Sequence, residues 1–336
     1  MRKITAVICI IALFLCVVPS TNADSYSAFK VDYSICNYKI NEDTLKALEA
    51  AVYDSTRSVK LESIEGVLKN LEMQADVYNF TEEQVKAYLD GMINKQTIII
   101  DGNDRGMSNS TPISTNRPDD NGIGYEVKSQ PGYYQETAFL TLPTVYRNSA
   151  GCSSAYLFYT ISNESELYAI DVGLWYGNGY YGTGWRDCYT INGTTSTVND
   201  LLGVSSGDSL YLHSYITESS NGETYVRCRI LDANNFSNVI SDFSIWVGSG
   251  INKSTAVINR QITLCNNAAD FTTGEYLHYG EFYDAYLYST VSCAPVSASN
   301  VNSSFCGAFG TDDSTASQVT VNSYTAWDAE NISIDF

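Results

Sequence analysis

The chain has 336 residues and a formal charge of -19. A surface so acidic, with no basic patch, repels nucleic acid and anionic lipid and excludes both as partners. With 26 tyrosines and only six prolines, the composition also excludes a disordered tail, and the length exceeds the usual single domain of about 100–200 residues.

The first 23 residues read as a signal peptide: Arg2 and Lys3, an apolar run from Ile4 to Val18, and a small, polar exit ending at Ala23. The run is shorter than the roughly 18–20 residues a membrane span requires, and no later segment is a candidate. Secretion is therefore expected, with no membrane span after cleavage. Nine cysteines are present, two of them, Cys9 and Cys16, inside the signal. The other seven lack any CxxC pair, so disulfides are the default and a metal site the minor reading. Cys293 and Cys306, closing a Ser/Asn-rich loop, are the best pair.

Residues 24–97 read as a helical N-terminal region. Leu45, Leu48 and Val52 share a helix face, and Leu61, Ile64, Val67, Leu68 and Leu71 repeat at helical spacing. Thr81 to Gln84 form a capping box that opens a third helix striped by Val85, Leu89, Met92 and Ile93. Two readings stand: a small module packed on the main domain, or a pro-segment covering a groove. Residues 98–122 are polar and turn-rich, a linker. Asp101, Asn103 and Asp104 lack the remaining ligand pattern of a calcium loop.

From 123 to 290 strands follow in series: 123–128, 136–142, 155–161, 166–176, 184–191, 208–217, 223–232, 239–247, 256–264 and 280–290. No helix intervenes, so the expected class is mainly β, an antiparallel β-sandwich or jelly roll. Residues 291–336 form a C-terminal extension with the cysteine loop and two weaker strands, 318–322 and 331–336.

Alternation sorts the faces of these strands. Ile170, Val172 and Leu174 point to the core, while Asp171 and Trp175 point away. Leu210, Leu212 and Ile216 pack inward, while Tyr211, His213 and Tyr215 face out. Val226, Cys228 and Ile230 pack inward, while Arg227 and Arg229 face out. With Trp185 nearby, one sheet is expected to present a broad aromatic and polar surface suited to stacking on sugar rings. Catalytic patterns are mostly absent. There is no HExxH around the two histidines; the G-x-S-x-G run at 203–207 leads into a strand and not a helix, so it forms no nucleophile elbow; and Glu281 and Asp284 do not share a strand face.

The order of local patterns carries a resemblance. Leu142–Val145, Ala169–Leu174, Gly184–Asp187, Gly207–Asp208 and Arg227–Asp232 are followed by Arg260–Leu264. This resembles the concanavalin-like sandwich of the glutamic peptidases (eqolisins), and more closely secreted YrpD-like proteins of Gram-positive bacteria, over roughly residues 137–290. In the peptidases a catalytic Gln stands two residues before a strand glycine and a catalytic Glu opens a later strand. The corresponding positions are Asp171, before Gly173, and Arg260. The resemblance thus implies a retained groove, a lost catalytic pair, and an Asp171–Arg260 ion pair.

The reading is a secreted, non-enzymatic protein that needs no cofactor and binds an extracellular glycan or cell-surface polymer. Its expected binding residues are Asp171, Trp175, Trp185, Tyr211, His213, Tyr215 and Arg260. The alternatives are a secreted hydrolase, a diverged peptidase or glycosidase with a helical pro-segment, and a surface protein whose helical region takes a protein partner.

Overall fold

A computed structural model describes residues 34–52, 63–94, 98–101, 122–148, 153–165, 168–191, 194–218, 222–266 and 270–336. The signal peptide, Cys152 and most of the linker lie outside them. Two sheets pack face to face. One has seven strands in the order Thr194–Ser196, Gly182–Ile191, Ala169–Gly179, Ser154–Asn163, Ala256–Cys265, Gly122–Ser129 and Val301–Phe309. The other, ten-stranded, runs Val319–Ala326, Ala329–Asp335, Tyr276–Ser289, Tyr133–Thr141, Ser209–Glu218, Thr224–Asp232, Asn235–Gly248 and Ile98–Asp101, with two short strands flanking Tyr276–Ser289. Pairing is antiparallel except at one edge, where Ile98–Asp101 joins Asn235–Gly248 in parallel. The linker thus begins as a strand, using apolar residues 98–100 to continue the sheet.

Period-two alternation builds the core. Leu157, Val172, Leu174 and Ile262 from the seven-stranded sheet meet Leu140, Leu212, Val226, Ile230 and Phe282 from the ten-stranded sheet. Each side chain taken wholly out of water contributes roughly 1.5–3 kcal/mol. Two polar devices bridge the layers. Asp187 accepts from the backbone N–H of Val198 and Asn199 at 2.9 and 2.8 Å and from Ser241 Oγ of the opposite sheet at 2.5 Å. Arg260, fully buried, holds two carboxylates of the opposite sheet, Glu136 and Glu330. Its Nε and Nη2 each reach a Glu330 oxygen at 2.7 Å.

Three helices form a further layer: α1 (Glu42–Val52), α2 (Ile64–Tyr78) and α3 (Glu82–Asn94). The capping box is formed, with Gln84 Oε1 accepting from Thr81 N at 2.9 Å and Thr81 Oγ1 from Gln84 N at 3.3 Å. Asn79 ends α2 in the left-handed conformation at φ 52°. The apolar stripes pack on the outer face of the ten-stranded sheet, where Leu48, Leu71, Leu89 and Met92 share a cluster with Tyr211, Leu231 and Phe236. Tyr78 fixes the seat, with its hydroxyl 2.7 Å from Thr137 Oγ1 and donating to the Asp284 carbonyl at 3.0 Å. None of the described helices is long and apolar enough to cross a membrane.

The expected Cys293–Cys306 bridge is not formed. Both are free thiols. The two lie in different sheets: Cys293 is opposite Tyr288 in the ten-stranded sheet and Cys306 opposite Val127 in the seven-stranded one. The intervening residues supply a strand, Val301–Phe309, in place of a closed loop.

Candidate functional site

Strand pairing separates the seven expected binding residues into three places. Trp185 and Arg260 point into the core and are 2% and 0% exposed. Tyr211, His213 and Tyr215 do face away from the core, as their alternation predicts, but they are buried beneath the helical layer. Asp171 and Trp175 alone share the outer face of the seven-stranded sheet, and both are half-buried. Nor do Asp171 and Arg260 meet. Asp171 is in register with Thr160 and Arg260 with Tyr159, one residue apart on the same strand, so their side chains leave by opposite faces. Asp171 accepts from Thr160 Oγ1 at 2.7 Å.

That outer face carries a polar file across four adjacent strands. Gln261 Nε2 donates to Thr160 Oγ1 at 3.3 Å, continuing the contact to Asp171. Directly opposite Gln261 stands Glu126. Its Oε2 accepts from Asn259 Nδ2 at 2.8 Å, while Asn259 Oδ1 has no hydrogen-bond partner. Glu126, Asn259 and Gln261 are recessed, between 5% and 8% exposed. Glu126 and Asp171 are three strands apart, roughly 14 Å at a spacing of about 4.8 Å. This is too far for the paired carboxylates of a retaining glycosidase, about 5 Å apart.

Trp175 sits beside this file on a built platform. Its indole lies flat over Gly177, where a Cβ would come within 2.5 Å of the ring. Arg186 supports the ring, with its guanidinium carbon 5.4 Å from the centroid. That guanidinium is held in turn by Asp200 Oδ1 at 2.9 Å and by the carbonyls of Gly177 and Gly182 at 2.6 and 2.5 Å. A Cβ at Gly179 would meet it at 2.4 Å. The glycines of the 177–184 hairpin thus make room for an indole stacked on an arginine. Tyr156 stacks beside the indole at 6.5 Å, and the Trp175 Nε1–H has no acceptor. Burial pushes the Tyr156 hydroxyl above its usual pKa, against the opposing pull of hydrogen bonds with Thr195 and Ser154.

Sequence reasoning missed Glu126, Asn259, Gln261 and Thr160, because membership of this face follows from which strands become neighbours. The alternation of Tyr156, Phe158 and Thr160 against Leu157, Tyr159 and Ile161 was a usable signal. Among the described residues, no group of three or more His, Cys, Asp or Glu side chains is placed to hold a metal.

No protein-family model matches the chain, and no curated protein matches it. Among solved structures it is similar to Scytalido-glutamic peptidase bound to a peptide-based transition state analog, at 14% identity and a TM-score of 0.41, covering 64% of this chain and 98% of that one. It is similar to SCP-B, a member of the eqolisin family of peptidases in complex with the tripeptide Ala-Ile-His, at 14% identity, a TM-score of 0.39 and the same coverages. A weaker likeness, with a TM-score of 0.23 and 9% identity over 41% of this chain and 72% of the other, links it to the alginate lyase Aly36B in complex with alginate trisaccharide.

Proposed function

We propose that this is a secreted binding protein whose seven-stranded sheet takes an extended extracellular glycan along its outer face. The observation that carries this reading is Trp175. A half-buried indole, fixed flat on Arg186 with its N–H unpaired, adjoins a recessed file of Asp171, Thr160, Gln261, Asn259 and Glu126. A flat aromatic ring suits the apolar face of a sugar. Acceptors and donors side by side suit hydroxyls, which both give and take hydrogen bonds. The test is a polysaccharide binding screen on the chain from residue 24, with product analysis of every hit. Binding without product supports the proposal. Absence of binding to any glycan overturns it.

A second reading, a hydrolase, rests on the Glu126–Gln261 pair. A carboxylate and an amide facing each other across neighbouring strands can hold one water between them, the carboxylate taking its proton while the amide orients the attacked carbonyl. The pair reverses the order implied by the eqolisin resemblance, with the glutamate on the earlier strand. Product that disappears in Glu126→Gln and persists in Asp171→Asn would favour this reading. The helical region is a weaker candidate for a partner site, since its apolar stripes are spent on the ten-stranded sheet.

A further inference from the structure

Thr160 lies on the middle strand of the seven-stranded sheet, Ser154–Asn163, between a carboxylate and an amide. Pairing with Ala169–Gly179 sets Asp171 directly opposite it. Pairing with Ala256–Cys265 sets Asn259 opposite it on the other side, and Gln261 comes next along the same face. The Thr160 hydroxyl donates to Asp171 Oδ1 at 2.7 Å, within the reach required of a general base. The same oxygen accepts from Gln261 Nε2 at 3.3 Å. A nucleophile, a group that can take its proton and an amide therefore meet at one atom, Thr160 Oγ1, from three adjacent strands.

Each of the three is held in place. Ten consecutive residue pairs fix the backbones that carry Thr160 and Gln261, and branching at Cβ leaves the threonine few side-chain rotamers. Gln261 is only 5% exposed, and Phe158 stands directly opposite it, so bulk water competes poorly with the hydroxyl. An alcohol does not attack an amide in dilute solution. Fixed neighbours, however, react at effective concentrations of up to about 10⁵–10⁸ M.

We propose that Thr160 and Gln261 join through an intramolecular ester, a covalent staple between two central strands of the sheet. Asp171 takes the hydroxyl proton as Thr160 Oγ1 bonds to Cδ of Gln261. The broad terminal torsion of glutamine lets that carbon turn to the oxygen. The carbon–nitrogen bond then breaks and its electron pair leaves with the nitrogen. The proton held by Asp171 passes to that nitrogen, so ammonia departs and the carboxylate is restored. One hydroxyl and one amide give one ester and one ammonia, and no oxidant or further reactant is consumed. The link closes a loop of roughly one hundred residues and restrains the unfolded chain as a disulfide does. It also consumes the Gln261 amide that the hydrolase reading requires, whereas glycan binding on this face does not depend on it.

The test is mass spectrometry of the full chain, intact under denaturing conditions and as a peptide map. The protein should be lighter than its sequence by one ammonia, with the peptides containing Thr160 and Gln261 recovered as one joined species. Mild alkali should reopen that species with the uptake of one water. Thr160→Val and Gln261→Met should show full mass and a lower melting temperature, and Thr160→Ser should restore the link. In a time course of cell-free synthesis, Asp171→Asn should close about a hundredfold more slowly. Full mass in the parent chain overturns the proposal. So does an ammonia loss that persists in Thr160→Val, which would place it at an asparagine succinimide elsewhere. Closure of Asp171→Asn at the parent rate overturns the role of Asp171. Should Thr160→Val fail to fold, the peptide map of the parent decides, and separate Thr160 and Gln261 peptides overturn the proposal.

Discussion

Gln261 stands directly opposite Glu126 across two neighbouring strands, with both side chains on the outer face of the seven-stranded sheet. Arg260, the residue before Gln261, points through the sheet to the opposite carboxylates of Glu136 and Glu330. A single strand thus divides its labour by parity: odd positions 259, 261 and 263 furnish the outer face, and even positions hold the two sheets together.

The Trp175 platform yields the first prediction. Trp175→Ala should weaken glycan binding about tenfold or more while leaving the fold intact, because the ring is half-buried on an outer face. Gly177→Ala is the sharper variant. Its methyl group would intrude on the indole, so affinity should fall with the tryptophan still present. Titration together with near-ultraviolet circular dichroism reads both effects. A tilted indole with undiminished binding would count against Trp175 as the platform.

Glu126→Gln keeps the shape of the polar file but exchanges a charge-assisted acceptor of the Asn259 amide for a neutral one. Binding of a neutral glycan should weaken by about 1–1.5 kcal/mol, roughly tenfold. Isothermal titration of the variant against the parent measures this directly. An affinity within a factor of two would remove Glu126 from the binding face.

Much of the strand sequence was legible because period-two alternation is local. The stretches 155–161, 184–191 and 256–264 each lie within an observed strand. Parity also assigned Asp171, Trp175, Tyr211, His213 and Tyr215 to outer faces. It does not say which outer face, because that depends on strand neighbours far apart in sequence. Trp175 belongs to one sheet and Tyr211 to the other, on opposite sides of the molecule. Trp185 and Arg260 were misjudged for a different reason. An indole and a guanidinium look like surface groups until the partners that bury them, Tyr176 for the first and Glu136 with Glu330 for the second, are placed beside them.

The buried triad makes stability depend on pH. Burial drives the Glu136 carboxyl from its ordinary 4.5 up to about 7 against the opposing pull of Arg260, and Glu330 is raised in the same direction. Arg260 offsets the burial of Glu330 through both of its oxygens and that of Glu136 through one. The folded state keeps a proton that the unfolded chain releases above about pH 4.5, so stability is greatest below that value and falls as pH rises through 7. The loss approaches roughly 3 kcal/mol at about 1.4 kcal/mol per pH unit. Melting temperatures measured from pH 4 to 8 should decline, and Glu136→Gln should flatten the slope. A flat parent profile would refute the assignment.

Tyr78 predicts how firmly the helical layer is seated. Its hydroxyl contacts Thr137 and the Asp284 carbonyl, and its ring meets Phe80, Phe139, Tyr211 and Tyr286 at centroid distances of 5.3–5.7 Å. Tyr78→Phe retains the ring and removes the hydroxyl, leaving the Thr137 hydroxyl short of one partner and costing about 1–2 kcal/mol. Tyr78→Ala also empties the aromatic nest and should cost about 3–5 kcal/mol. If the helices are held as one unit through this residue, hydrogen exchange in α2 and α3 should accelerate in Tyr78→Ala, while the Leu157 and Ile262 strands keep their protection. Equal acceleration in both sheets would instead make the helices part of a single cooperative core.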